Sequence, residues 1–331
     1  MRVLVTGGAG YIGSHCALLL HERGHAVWVL DSLENGHAKA LAGFLPPERL
    51  IRADLAEQHR VEHALMAHRV EAVLHFAAFA LVGESVTRPD KYWNNNVAGT
   101  LSLLGAMRRA GVGRLVFSST AAVYGEPLQV PIPEDHPKAP CNPYGRTKLV
   151  MEEALADHAA AFDMGVTALR YFNAAGCDPE GRLGEDHEPE THLVPLAVRA
   201  VLNPGKPFRI FGDDWSTPDG TCIRDLVHVT DLAEAHVLAL DAIRPGTMRR
   251  YNLGNGKGHS VRQVLDAVGR AAGRPVPAEV APRRAGDPAV LVADSSLVRA
   301  ELGWKPRYPD LDSMVGTAWK WLSTHPRGYA N

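Results

Sequence analysis

Arg2-Val-Leu-Val-Thr6, then Gly7-Gly8-Ala9-Gly10-Tyr11-Ile12-Gly13, then an apolar stretch through Leu20, is the passage that decides the fold. Five apolar-rich residues read as a short buried strand, and the stretch that follows reads as a helix. The glycines between them allow a tight turn, close approach of backbone to a pyrophosphate, and tight packing of helix on strand. The anion would sit at the helix N-terminus. Two glycine spacings overlap: Gly8, Gly10 and Gly13 give the general dinucleotide fingerprint, and Gly7, Gly10 and Gly13 give a shifted version of it. A second strand, Ala26 to Leu30, leads into Asp31, near the distance at which a carboxylate meets the adenosine ribose. A carboxylate accepts from a ribose hydroxyl and repels a 2'-phosphate, and residues 32–38 contain no arginine. The unit therefore implies NAD rather than NADP.

Outward from this unit, short apolar runs alternate with helical stretches. Leu50 to Ala53, Ala72 to Phe76, Arg114 to Phe117 and Val166 to Arg170 read as further strands, with helices near 57–69, 91–111, 143–162 and 192–202. Such alternation builds an α/β fold, a doubly wound parallel sheet of the Rossmann type with helices on both faces. Ligands of these sheets bind outside the carboxyl ends of the strands. Asp54, Phe76-Ala77-Ala78, Ser118-Ser119-Thr120 and Tyr171-Phe172-Asn173 follow strand ends and should line one crevice with the glycine loop. After residue 173 the regular alternation stops and Pro, Gly and His become frequent. We therefore expect a dinucleotide-binding domain over 1–173 and a smaller substrate domain over 174–331, with some of its segments returning to the first.

Composition sets limits. The 331 residues, 46% hydrophobic, suffice for two domains, and a formal net charge of -2 points to no polyanionic partner. Nucleic-acid binding lacks a basic stripe or a recognised motif. Cys16, Cys141, Cys177 and Cys222 have no paired spacing and read as reduced thiols, and the sixteen histidines show no metal-like spacing, so no metal site is expected. His15, His25 and His236 read as surface or helix-face residues, and His75 as a packed imidazole. The apolar run at the N-terminus is too short for a signal peptide, and no segment reaches the roughly 18 apolar residues of a membrane span. The expectation is a cytoplasmic protein.

Asn142-Pro143-Tyr144-Gly145-Arg146-Thr147-Lys148 carries the chemistry. Asn is a good N-cap and Pro a preferred first helical residue, so Tyr144 falls in the first turn and Lys148 one turn on, along the same face. A lysine cation and the positive end of a helix both favour the phenolate, which otherwise forms with a pKa of about 10. Hydride transfer with a tyrosine acid/base is the implied chemistry.

Together with Val82-Gly-Glu-Ser85, Val123-Tyr124-Gly125, Arg170-Tyr-Phe-Asn173, Asp219-Gly-Thr-Cys-Ile-Arg224-Asp225-x-x-His228, Ala281-Pro-Arg-Arg-x-Gly-Asp287 and the tail near Trp319 and Trp321, these motifs resemble the UDP-glucose 4-epimerase family of extended short-chain dehydrogenase/reductases. The resemblance runs the length of the chain. It implies reversible interconversion of UDP-glucose and UDP-galactose through a 4-ketose, with nearly permanently bound NAD. Tyr144, Lys148 and Thr120 would be catalytic. Cofactor contacts would come from Gly7, Gly10, Tyr11, Ile12, Gly13, Asp31, Asn35, Asp54, Leu55, Phe76, Ala77, Ala78, Asn96, Ser118, Tyr144, Lys148 and Tyr171. The UDP-sugar would meet Thr120, Tyr144, Asn173, Leu193, Phe211, Arg224, Arg284, Asp287 and Leu291.

Bland readings stand beside these. Arg224-Asp225 also reads as a local ion pair, Asp231 as the N-cap of a helix to Ile243, and Arg283 as a solvated surface charge. Departures from the family pattern are Ala80 for a lysine, Leu226 for a tyrosine and His192 for an asparagine. Leu291 is intermediate in size where the family varies with sugar tolerance, which implies a preference for non-acetylated sugars. A UDP-pentose, uronic acid or N-acetylhexosamine 4-epimerase, and an NAD-sensing non-enzyme, remain alternatives. A 4,6-dehydratase fits less well, because Ala121-Ala122 replaces its acid pair after Thr120. Family members dimerise through two helices, here 91–111 and 143–162, and Leu101, Leu104 and Met107 offer an apolar stripe that core packing explains equally well.

Overall fold

A computed structural model describes residues 1–284 and 286–329. In chain order the elements are β1 (Arg2–Thr6), α1 (Tyr11–Glu22), β2 (Ala26–Asp31), β3 (Leu50–Arg52), α2 (Gln58–Ala67), β4 (Ala72–His75), α3 (Val82–Thr87), α4 (Pro89–Tyr92), α5 (Gly99–Ala110), β5 (Arg114–Thr120), α6 (Pro143–Phe162), β6 (Gly165–Tyr171), β7 (Asn173–Ala175) and α7 (Leu193–Leu202). They continue with β8 (Phe208–Phe211), β9 (Ile223–His228), α8 (Val229–Ala242), β10 (Met248–Leu253), β11 (Gly258–Ser260), α9 (Val261–Ala272), β12 (Ala278–Ala281), β13 (Val290–Leu291), α10 (Ser296–Leu302) and α11 (Leu311–Thr324).

Seven strands form one parallel sheet in the order β10-β6-β5-β4-β1-β2-β3. The buried apolar strand residues feed two separate cores. On one face Val3, Val5 and Leu74 meet Leu20 of α1 and Leu232, Val237 and Leu240 of α8. On the other, Leu4, Val73 and Leu115 meet Leu65 of α2, Leu103 and Met107 of α5, and Leu155 of α6. Helices thus cover both faces, the doubly wound arrangement expected from the alternation.

The strand order reverses between β1 and β4, which is where such sheets open a ligand crevice. At that point the chain is very tight. Gly7 has φ +70, and a Cβ there would lie 2.5 Å from the Ala77 backbone nitrogen. A Cβ on Gly13 would lie 2.2 Å from the Gly7 carbonyl oxygen. Only glycine lets β1, α1 and the exit of β4 converge.

Beyond residue 173, α7, α9 and α11 pack around β8 and β9 in a third core that includes Trp321. β9 pairs with β7, β11 and β13, and β8 pairs with β12. The chain does not stay there: α8 packs on α1, and β10 extends the large sheet beside β6.

Several local readings change. Ser118-Ser119-Thr120 are the last three residues of β5 rather than a loop after it. The 91–111 helix is interrupted by a π-helical turn over Trp93–Ala98. There the Asn96 side chain donates to and accepts from the Phe79 backbone, holding the segment after β4. In the expected apolar stripe, Leu104 and Met107 are buried in the core and Leu101 is exposed. His15 and His236 are buried, not superficial, each with Nδ1 on the carbonyl one turn earlier, Tyr11 and Leu232. His75 is buried between the Thr6 and Thr100 hydroxyls.

Asp231 is not the N-cap of α8. His228 caps it, accepting from Thr230 N. Asp231 lies in the first turn, buried, and accepts from the Arg307 and Tyr308 amides at 2.7 and 3.0 Å, while its carbonyl accepts from Trp304 Nε1. It pins the C-terminal segment to the dinucleotide unit. Asp231→Ala orphans two amides, each costing roughly 1–3 kcal/mol. Urea denaturation is expected to show a lower midpoint, with a summed loss of roughly 2–6 kcal/mol.

Candidate active site

Asn142 builds the start of α6. Its side chain accepts from Gly145 N at 2.9 Å, and Pro143 occupies the first helical position. Tyr144 and Lys148 are thereby placed on the face turned to the end of β5, both buried. Lys148 Nζ donates to the Ser118 carbonyl at 2.8 Å and lies 6.0 Å from the Tyr144 ring centroid. Thr120 accepts from Ala122 N at 3.1 Å, and its hydroxyl is close enough to the Tyr144 phenol to favour the phenolate.

Electrostatics here differ from expectation. Burial pushes the Tyr144 phenol up to about 12, opposed by the Thr120 hydrogen bond. Burial pulls the Lys148 ammonium down to about 7, opposed by the Glu152 carboxylate. Desolvation outweighs the helix and lysine effects that favour the phenolate. Without ligands the phenol is therefore protonated at neutral pH.

Glu152, one turn beyond Lys148 on the same helix face, was missed by sequence reasoning. It is buried with Arg170 in a bidentate pair, Nη2 to Oε2 at 2.5 Å and Nε to Oε1 at 2.9 Å. Ser119 Oγ donates to it at 2.6 Å and Arg250 Nε at 3.1 Å. Arg170 also donates to the Tyr124 hydroxyl, which donates to Asn252. The spacing Tyr-x3-Lys-x3-Glu was the available signal, but its partners come from β5, β6 and β10.

The residues of the dinucleotide crevice lie at the carboxyl edge of the sheet. Gly7, Gly10, Tyr11, Ile12 and Gly13 form the turn and first turn of α1, where Gly10 is the N-cap and no side chain caps the amides. Asp31 is buried at the end of β2, accepting from Ala9 N and Leu33 N at 2.9 and 2.8 Å. Phe76, Ala77 and Ala78 follow β4, Asp54 and Leu55 follow β3, and Asn35 lies exposed beyond Asp31. Ser118 Oγ hydrogen-bonds the Tyr171 hydroxyl. Asn96 is the exception: its amide is committed to Phe79, Asn95 and Thr147, so it shapes the crevice and offers it no free group. Uncapped amides, a glycine turn with no room for a side chain and a ribose-type carboxylate fit NAD.

Beside the crevice, a cleft of about 920 Å³ is lined by Asn173, Leu193, Phe211, Arg224, Arg284 and Asp287 among others. Arg224 donates to the Ile223 and Pro288 carbonyls. Arg284 lies over the Phe211 ring at 4.4 Å and pairs with Asp287 at 3.2 Å. Asn173 Oδ1 is buried without a hydrogen-bond partner. Leu291 does not line this cleft; it packs on Ala121, Val123 and Phe172, beside Thr120. Leu226 lies buried in the third core. The Arg224-Asp225 ion pair does not form: Asp225 accepts from the Asn255, Gly256 and Ala293 amides on β9's buried side. Arg283 is exposed yet engaged, bonded to Asp214 at 2.7 Å and lying over Trp215.

Linear spacing also hid a cluster. Glu185, His187, Glu190 and His192 bring a ligand atom each to within 4.8 Å of one another. His192, where the family pattern has asparagine, faces Glu185 and Glu190 and is held well above the usual histidine range by them.

A glycine-turn crevice at a topological switch point, with a buried tyrosine and lysine at its edge, defines a dinucleotide-dependent enzyme of the extended short-chain type. The chain belongs to the NAD dependent epimerase/dehydratase family, whose model matches residues 3–254. It is 50% identical over 331 residues to a UDP-glucose 4-epimerase of Halalkalibacterium halodurans, covering 100% of this chain and 98% of the relative. Among solved structures it is similar to the UDP-glucose 4-epimerase from Brucella ovis in complex with NAD (47% identity, TM-score 0.92, 96% and 97% of the two chains). It is likewise similar to that from Bifidobacterium longum in complex with NAD+ and UDP (38% identity, TM-score 0.94, 99% and 100%).

Removing the buried carboxylate tests the support under the site. Glu152→Gln leaves Arg170 without its buried counter-charge, and breaking such a pair costs about 3–5 kcal/mol. A loss of that size in chemical denaturation is expected, together with a Lys148 pKa that falls further.

Proposed function

We propose that this chain interconverts UDP-glucose and UDP-galactose by reversible oxidation at C4. The reading is supported by Tyr144 and Lys148 buried at the end of β5 in a sheet with an NAD-type glycine turn, together with a cleft whose arginines suit a diphosphate. NAD, which the glycine turn and Asp31 would hold, would supply the hydride acceptor and donor for C4 and a positively charged ring beside it. Tyr144 takes the proton of the sugar 4-hydroxyl and gives it back after the ketose has turned. Thr120 shares the same oxygens by hydrogen bonding and steadies the phenolate. Lys148, whose ammonium form Glu152 favours against burial, supplies the cation.

Arg224 and Arg284 grip the diphosphate, arginine forks being matched to phosphate oxygens. Asp287 accepts from the uridine ribose, Phe211 covers the uracil, and Asn173, with its unpartnered carbonyl, meets a ligand donor. The grip falls on the nucleotide, so the sugar can rotate and present its other face. Residues 174–331, less the 229–253 segment that joins the large sheet, act as the substrate domain. Because the cycle has no net redox change, NAD stays bound between turnovers. Leu291, filling space beside Thr120, favours unacetylated sugars.

Four free cysteines among the described residues fit a reducing cytoplasm, and the reaction fits galactose metabolism. No helix among the described residues is long and apolar enough to cross a membrane. Two copies pair through the α5 and α6 faces, where Leu101 and Phe162 are exposed, and sedimentation is expected at twice the chain mass.

Incubating the purified protein with UDP-galactose and no added NAD is expected to yield UDP-glucose without NADH accumulation. Tyr144→Phe should lower kcat by about 10²–10⁴-fold, the usual weight of a positioned acid/base, with the fold retained. Full activity in that variant would overturn the proposal. With UDP-N-acetylglucosamine the same assay should run slower than with UDP-glucose, and equal turnover would remove the assigned preference.

A further inference from the structure

Four side chains of the loop between β7 and α7 converge on one point in a pattern the epimerase chemistry does not use. Glu185 and Glu190 have side chains 3% and 1% exposed. His187 Nδ1 lies 3.3 Å from Glu185 Oε1 and 4.0 Å from Glu190 Oε2. His192 Nδ1 lies 2.9 Å from both Glu185 Oε1 and Glu190 Oε1. Four ligands at the 2.0–2.1 Å bonds of a tetrahedral zinc site are about 3.3 Å apart, and these separations bracket that edge.

Hydrogen bonding within the cluster leaves a remainder. Glu190 Oε1 is well served, accepting from the Thr191 and His192 amides and meeting His192 Nδ1. Glu185 Oε1, His187 Nδ1 and Glu190 Oε2 are buried with no hydrogen-bond partner. Two protonated imidazoles would balance the two carboxylates, but that arrangement should give these atoms aligned hydrogen bonds. A central cation satisfies them from one place and neutralises two buried charges when both imidazoles are neutral.

We propose that Glu185, His187, Glu190 and His192 bind a divalent transition-metal ion of the zinc class. Two imidazole nitrogens and two carboxylate oxygens are a borderline donor set that suits Zn²⁺ and its neighbours better than Mg²⁺ or Ca²⁺. The site is structural, with four protein ligands. The His187 ring meets that of Tyr11 at 6.2 Å, and Tyr11 donates to the Gly176 carbonyl, so the loop lies against the glycine turn. His192 is the N-cap of α7, and Leu193 and Glu190 line the nucleotide cleft. The ion clamps this wall of the cleft onto the dinucleotide unit.

The test uses the full-length protein dialysed against chelator and then metal-free buffer, titrated with ZnCl2 by calorimetry and with CoCl2 by visible absorption. One equivalent of Zn²⁺ should bind, Co²⁺ should give the intense d–d bands of a tetrahedral site, and Zn²⁺ should displace them. Glu190→Gln and His187→Ala should each weaken Zn²⁺ binding at least 100-fold while far-ultraviolet dichroism stays that of the parent. Failure of the chelated parent to bind either ion saturably would overturn the proposal. So would equal binding by His187→Ala, because the ion would then sit on other histidines. Neither readout depends on epimerase turnover.

Discussion

The buried ammonium of Lys148 is the constraint around which the rest of the site is arranged. An uncompensated cation at this depth would cost several kcal/mol, and the chain answers with the Ser118 carbonyl on one side and Glu152 one helical turn away. Glu152 in turn needs Arg170, Ser119 and Arg250, so β5, β6, β10 and α6 must all be in place before the lysine is stable as a cation. β10 arrives only after the chain has passed through the first part of the second unit, β7 to β9. The Lys148 charge thus depends on the return of the chain to the large sheet.

The same return makes the cleft. Tyr11 in the glycine turn holds Gly176, and Asp231 in α8 holds the amides of Arg307 and Tyr308, so the two units are stitched at both ends. Between these ties lie Asn173 and the Arg224 strand, which line the cleft. In the proposed function the nucleotide grip and the proton-transfer groups come from different units, and the stitches set the gap between them.

How much of this is readable in sequence follows from how local each signal is. The glycine turn, Asp31 and the Asn142-Pro143 helix start are decided within a few residues, and the structure places them as read. Helix 143–162 matches to the residue because both its cap and its stop are local. Glu152 stands at a readable spacing, but its meaning lies in Arg170, eighteen residues on and one strand over. His15 and His236 look like surface residues by type. Each is instead buried, His236 against Phe76 and Tyr171 from two strand ends, contacts no local pattern announces. Asp231 obeys the capping preference of aspartate in type only, because His228 at the end of β9 reaches the cap first. The Glu185–His192 cluster escapes a search for metal spacing because its ligands alternate between carboxylate and imidazole, and only the loop's path brings them to one point.

Tyr144 shows what the chain supplies and what it leaves to its ligands. Bringing a phenol from about 12 to neutrality means about five pKa units, or about 7 kcal/mol. A protonated Lys148, its Nζ 6.0 Å from the ring centroid, contributes on the order of 3 kcal/mol at an effective dielectric of about 20. That is roughly two units, which leaves the phenol a weak base. Ala80 stands where some family members place a second lysine near the cofactor, so that position adds no cation. Positive charge entering with an oxidised cofactor would supply part of the rest. In the proposed function Tyr144 would then act as a base when a hydride acceptor is bound, and the protein would avoid holding a costly buried phenolate between encounters.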